Sequence, residues 1–121
     1  MPDVVFYRQE DGSVPLLDWL QRLPPNARVQ CIAKVELLRA RGHELRRPHA
    51  EYLRDGIYEL RAKARGVNYR MLYFFHGQQA VVLSHGVTKQ RAAVPAIEIE
   101  RARRRKQIFE ADPRRHTHTE A

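Results

Sequence analysis

The sequence predicts a small α+β domain: an antiparallel sheet built from an N-terminal strand plus a three-strand meander, a two-helix hairpin on one face, and a basic C-terminal helix. Three observations predict it. Residues 57–91 contain three runs rich in Val, Tyr, Phe, Leu and Ile, at 57–64, 68–76 and 80–89. They are parted by the short breaks Arg65-Gly66 and Gly77-Gln78-Gln79, and β-rich runs separated by glycine-bearing breaks mark antiparallel hairpins. Ahead of them, residues 16–40 carry apolar side chains at helical spacing. Behind them, Pro95 opens a further helical stretch dense in arginine. With 121 residues the chain suits one domain, read as residues 1–111, with 112–121 as a tail.

In chain order, residues 4–8 form a short β-like run closed by Asp11-Gly12 that adds a strand to the sheet. Ser13 is the expected N-cap of a first helix with Pro15 in its first turn, and Leu16, Trp19, Leu20 and Leu23 give it one apolar face. Trp19 belongs to the core on this reading. Pro24-Pro25 ends that helix. Asn26 is the expected cap of a second helix to about Arg41, with Val29, Ile32, Ala33, Leu37 and Ala40 as its apolar stripe, widened by Val35 and Leu38, and Gly42 at its C′ position. Residues 43–55 are polar and basic and read as a loop. The last helix, from Pro95 to about Glu110, carries RARRRK at 101–106. Ile99, Ala102 and Phe109 give it only a thin apolar stripe, so it is expected to dock loosely or on something else. The tail from Asp112 has no apolar anchor and reads as disordered.

Net charge is +8 and the sequence pI is about 10.2, a balance that points to nucleic acid or an acidic protein partner. The single cysteine, Cys31, excludes an intramolecular disulfide and a Cys-rich zinc site, and reads as an apolar filler. His116 and His118 lack a further ligand nearby, so no metal site is assigned. The opening MPDVVFYRQEDG lacks a basic segment followed by an apolar run, and no stretch approaches membrane-spanning length. A soluble, cytoplasmic protein is expected. There is no internal repeat, Walker-type loop, HExxH or GxSxG.

Strand alternation puts Glu59, Arg61 and Lys63 on one face of the first run. If the first hairpin turns on Arg65-Gly66, Arg61 lies opposite Arg70. If the second turns on Gly77-Gln78, Arg70 lies opposite His85, with Lys89 on the same face. A one-residue slip, or a bulge at Gly86, scatters the set. Two arginines face to face repel, and an anion between them relieves the clash. A guanidinium fork matches phosphate, so phosphate is the expected anion. Arg46, Arg47, Lys63, Arg91, Arg103, Arg104 and Arg105 extend the basic surface and are the candidates for contact with a nucleic-acid backbone.

The motifs YELR at 58–61, NYRMLYFF at 68–75 and LSHGVTKQ at 83–90, followed by Pro95 and EIERA at 98–102, resemble the RelE/ParE superfamily of type II toxin–antitoxin systems. The likeness covers nearly the whole chain and is closest to the HigB-like, phage-derived branch. It implies an antiparallel sheet with helices packed on one side, and basic residues on an exposed sheet face that carry the RNA chemistry. RelE- and HigB-like members cleave mRNA in the ribosomal A site, whereas ParE-like members inhibit DNA gyrase without catalysis. By motif the resemblance marks Arg61, Arg70 and Lys89. RelE-type lysines ahead of the first arginine are absent, with Glu59 there instead, and residues 92–96 hold no tyrosine. The general acid and base are therefore not carried over.

The implied reaction is attack by the RNA's own 2′-hydroxyl on the adjacent phosphate, with no metal or cofactor. Arg61 and Arg70 would stabilise the phosphorane. Lys89 or His85 would move protons. Glu59 would be a base or an arginine's partner. The implied partners are mRNA, the ribosome and a cognate antitoxin of helix-turn-helix type. Two other readings remain open from sequence: a gyrase inhibitor, and an inactive relative that only binds antitoxin or nucleic acid.

Overall fold

The computed structural model describes residues 3–89 and 93–119. Its elements are β1 (Asp3–Tyr7), α1 (Pro15–Gln21), α2 (Pro25–Arg41), a 3-10 turn (Gly42–Glu44), β2 (Ala50–Arg54), β3 (Ile57–Ala64), β4 (Val67–His76), β5 (Ala80–Lys89), α3 (Ala96–Ala111) and β6 (Thr117–His118). The strands form one sheet in the order β2-β3-β4-β5-β1-β6. β1 runs parallel to β5 and every other neighbour is antiparallel. Helices cover both faces. Alternation divides the apolar side chains: Leu60, Met71, Tyr73 and Leu83 pack under α1 and α2, while Ile57, Leu72, Phe74 and Val82 pack under α3. No helix of the described residues is long and apolar enough to cross a membrane.

The hairpins explain the register. Arg65 and Gly66 both have positive φ, as do Asp55 and Gly56, the type I′ geometry whose twist suits a two-residue hairpin. The first pair delivers the expected pairing of Arg61 with Arg70. The second creates β2, where the sequence reading placed a loop. The strand was hidden because residues 50–54 show no clean alternation, although Asp-Gly is itself a hairpin signal.

The β4–β5 connection departs from expectation twice. Its turn holds three residues, with His76 opposite Ala80, and the ladder then shifts between Leu72 and Tyr73, leaving Ser84 as an extra residue. Either shift alone would turn the far half of β5 over. Together they restore the face and displace it. His85 lies opposite Leu72, and Arg70 faces Val87 rather than His85. Gly86 then points at α1, where an added Cβ would come within 2.1 Å of Trp19 Cδ2. Glycine is what lets the indole lie on the strand.

The helices correct further expectations. Ser13 does not cap α1: its hydroxyl donates to Asp11 Oδ1 at 2.7 Å in the preceding turn, and Val14 occupies the cap position. Pro24, not Asn26, precedes α2. The end of α1 is closed from α2, because Arg28 donates to the carbonyls of Leu20, Gln21 and Leu23 at 3.0–3.2 Å. α2 is rotated from the predicted stripe. It buries Ala27, Cys31, Val35 and Leu38, while Val29 and Ile32 are 62% and 45% exposed. Small Ala27 and Cys31 set the close approach to the sheet. α3 docks firmly, through Ile99, Ala102 and Phe109, with Phe109 edge-on to Phe74 at 5.8 Å. The tail, expected to be disordered, pairs β6 with β1. Its anchor is His116, which stacks on Tyr7 at 5.5 Å and lies 2.8 Å from the Arg8 carbonyl through Nδ1.

Candidate functional site

Glu59, Arg61, Arg70 and His85 lie on the α3 side of the sheet, which is therefore not an exposed face. Glu59, His85 and Arg70 are only 3%, 5% and 8% exposed. They separate into an arginine end and a histidine end.

At the arginine end, the Arg61 amide donates to the His49 carbonyl at 2.8 Å. Its backbone thus faces away from β4, and Arg61–Arg70 is a closely spaced, non-hydrogen-bonded pair. The anion between the guanidiniums comes from the chain itself. Glu59 Oε2 lies 2.6 Å from Arg61 Nε and 3.5 Å from Arg70 Nε. Glu51 on β2 pairs with Arg61 Nη2 and with Arg47. Glu59 is thus the arginines' counter-ion, in the position expected for phosphate. Its contact with Arg70 is an ion pair only, because Arg70 Nε finds no hydrogen-bond acceptor among the described residues. Arg70 Nη1 reaches the Tyr69 carbonyl at a long 3.4 Å. Burial pulls the Arg70 guanidinium below its ordinary pKa; Glu59 opposes the shift and Arg61 adds to it. The unmatched Nε is itself sealed from solvent, with only the Glu59 carboxylate recorded near it.

Two clefts flank this cluster, and Arg61 borders both. One, of about 410 Å³, runs between Glu51, Glu59, Val94 ahead of α3 and Ile99 in its first turn. The other, of about 200 Å³, is bounded by Lys34, Lys63, Asn68 and Arg70.

At the histidine end every ring nitrogen is matched. His85 Nε2 lies 3.0 Å from Glu98 Oε1, and Nδ1 lies 2.8 Å from Ser84 Oγ. An ionised Glu98 can only accept, so Nε2–H donates to it and Nδ1 accepts from the serine. Burial, reinforced by Arg105, pushes His85 down to about 4 against the pull of Glu98. The imidazole is therefore neutral at pH 7. The Ser84–His85–Glu98 chain has the connectivity of a nucleophile relay, yet Ser84 is fully buried and no substrate reaches it. Arg105 closes the network, with Nη1 3.5 Å from the bulged Ser84 carbonyl and its guanidinium 5.4 Å from the Tyr7 ring centre.

The outer basic residues divide as well. Lys63, Arg46, Arg47 and Arg104 are exposed. Arg103 pairs with Glu100, and Arg105 is turned inward. Lys89 lies opposite Asn68 in the β4–β5 ladder, and Arg91 lies outside the described residues.

Residues 18–107, from within α1 to within α3, match the family described as phage-derived protein Gp49-like (DUF891). The chain belongs to this family. Gp49-like proteins are a toxin-like family of toxin–antitoxin systems, of RelE/HigB type. A search among curated proteins finds no match. In this Gp49-like chain, sequence reasoning missed Lys34, Glu51 and Glu98. Glu51 became visible only with β2. Lys34 depends on the rotation of α2, for which no local signal exists. Glu98 follows from the docking of α3.

Proposed function

We propose that this protein is the toxin of a type II toxin–antitoxin pair and acts as a ribosome-dependent mRNA endonuclease. The observation that carries this reading is Arg70: buried, held beside Arg61 by Glu59, and lining a basic cleft. A phosphate brought there meets cations whose geometry is already set, and such preorganised charge is worth most against the developing phosphorane. The 2′-oxygen would bond to phosphorus as the 5′-oxygen leaves, giving a 2′,3′-cyclic phosphate and a 5′-hydroxyl. Glu59 positions the two guanidiniums. The matched hydrogen bonds of His85 argue for a structural role, which leaves Lys89 as the proton carrier the sequence suggests. A helix-turn-helix antitoxin is the expected partner.

The test is to induce the protein in growing cells and map mRNA 5′ ends, with Arg70→Ala alongside. New cuts within translated frames that vanish in the variant are the expected result. Growth arrest without new ends would favour the gyrase reading. Folded protein with neither arrest nor cuts would favour an inactive binder.

A further inference from the structure

The cleft at the open edge of β3 is a different environment from the Glu51–Glu59 side of the same arginines. The β2–β3 ladder runs from Ile57 to Leu60, so Ala62 and Lys63 border the cleft on the edge of the sheet. Lys34 comes from α2, Lys63 from β3, and Asn68 and Arg70 from β4. Among the described residues no carboxylate lines this cleft, whereas the larger one beside it carries Glu51 and Glu59.

Its donors are oriented by the fold. Lys34 Nζ lies 2.7 Å from His49 Nδ1. Desolvation, Lys34 and Arg41 together lower the His49 pKa, so the ring is neutral at pH 7 and accepts one ammonium proton. Two donors of Lys34 remain. The Arg61 amide points away from β4 to the His49 carbonyl. By the two-residue period the Lys63 amide points the same way, past the end of β2 and toward the cleft. Arg70 adds its positive charge at the wall of the cleft, with its buried Nε on the Glu59 side. A volume of about 200 Å³ is below the roughly 300–1,000 Å³ of pockets that enclose drug-sized molecules. It suits a phosphate group rather than a whole nucleoside.

We propose that Lys34, Lys63, Asn68 and Arg70 form a subsite for a backbone phosphate of single-stranded RNA, next to the phosphate that reacts. This inference rests on RNA being the substrate. The Lys34 and Lys63 ammonium groups, with the Lys63 amide beside them, bind and position the strand; none takes part in proton transfer.

The experiment uses the full chain and a uniformly 2′-O-methylated RNA oligonucleotide, which cannot be cleaved by 2′-oxygen attack. Its affinity is measured at several salt concentrations for the wild type, Lys34→Ala and Lys63→Ala. Arg39→Ala, at a half-buried arginine elsewhere on α2 that pairs with Glu36, is the charge control. Each lysine variant is expected to weaken binding about 5- to 10-fold and to reduce the salt slope by about one. The control should stay within about 2-fold. Lys63→Ala decides the matter if Lys34→Ala fails to fold. Lysine variants indistinguishable from wild type overturn the inference, even if the protein cleaves mRNA in cells. Inorganic phosphate that binds in a Lys34-dependent way, with no binding of the oligonucleotide, also overturns it, because the site then takes free anion only. Lysine-dependent oligonucleotide binding without new mRNA ends in cells would sink the nuclease reading and leave the subsite standing.

Discussion

The arginine and histidine ends of the α3-side sheet face hold the same kinds of groups in opposite states of completion. Around Arg61 and Arg70, cations outnumber acceptors on the cleft side, and a buried donor has no hydrogen-bond acceptor among the described residues. Around His85, both ring nitrogens, the bulged carbonyl and the nearby guanidiniums are matched within the chain. Both ends are buried and both have shifted pKa values. Burial and a shifted pKa therefore do not distinguish a reactive site from a structural knot. What differs between the two ends is the hydrogen-bonding capacity left unspent at Arg70.

The sharpest test is a paired substitution. Arg70→Ala is expected to lower cleavage by about 10²–10³-fold, the usual cost of losing one preorganised charge donor. His85→Gln should leave cleavage within about 3-fold, provided the variant is assayed below its melting temperature. Turnover of ribosome-bound mRNA measures both. Equal losses would erase the distinction between the two ends, and a loss confined to His85→Gln would reverse it.

Glu59→Gln probes the arginine end alone. Glu59 is almost wholly buried between two guanidiniums, and removing one member of a buried ionic group leaves the others uncompensated. Destabilisation of about 3 kcal/mol is expected by urea unfolding. Arg61 keeps Glu51, so most of the cost falls on Arg70. A change below about 1 kcal/mol would mean that solvent, not Glu59, balances Arg70.

The same contrast explains what the sequence could disclose. Residues 57–89 announced their strands because Arg65-Gly66 and Gly77 punctuate β-branched and aromatic runs. The Arg61–Arg70 pair followed from a two-residue turn alone. His85 needed both a longer turn and the Ser84 bulge, two shifts that cancel in facing and that local patterning does not encode. The rotation of α2 was misread because Val29 and Ile32 are more apolar than Ala27 and Cys31, yet close approach to the sheet selects the small pair. Lys34 entered the cleft by that rotation. α3 looked too thinly apolar to dock, but Ala102 lets its backbone come near, and Phe109 reaches Phe74. The tail lacked apolar residues, and its anchor is an imidazole on a tyrosine.

Gly86→Ala tests the geometry that makes the histidine end. An added methyl would sit 2.1 Å from the Trp19 ring, and Trp19 is a buried core residue that cannot swing aside freely. Overpacking of this kind costs about 1–3 kcal/mol. A lower melting temperature with altered tryptophan fluorescence is expected. An unchanged emission spectrum would mean that β5 carries a different register past the bulge. His85 would then face the other side of the sheet.

The smallest expected effect is the pH dependence of stability at the histidine end. The folded pKa of His85 is depressed to about 4, below the ordinary value near 6.5. Between those values the unfolded chain binds the proton and the folded chain does not. Stability from this group is therefore fully present above about pH 6.5 and is lost as the pH falls toward 4. One proton can contribute a slope of no more than about 1.4 kcal/mol per pH unit. Carboxylates in ion pairs titrate in the same window, so the difference between wild type and His85→Gln isolates the imidazole. Urea unfolding from pH 7 to pH 4 should show a shallower acid limb in the variant. Parallel limbs would mean that the imidazole ionises as readily in the folded protein as in the unfolded one. Its pair with Glu98 would then be a charged one, and the histidine end would hold a proton that chemistry at the neighbouring arginines can use.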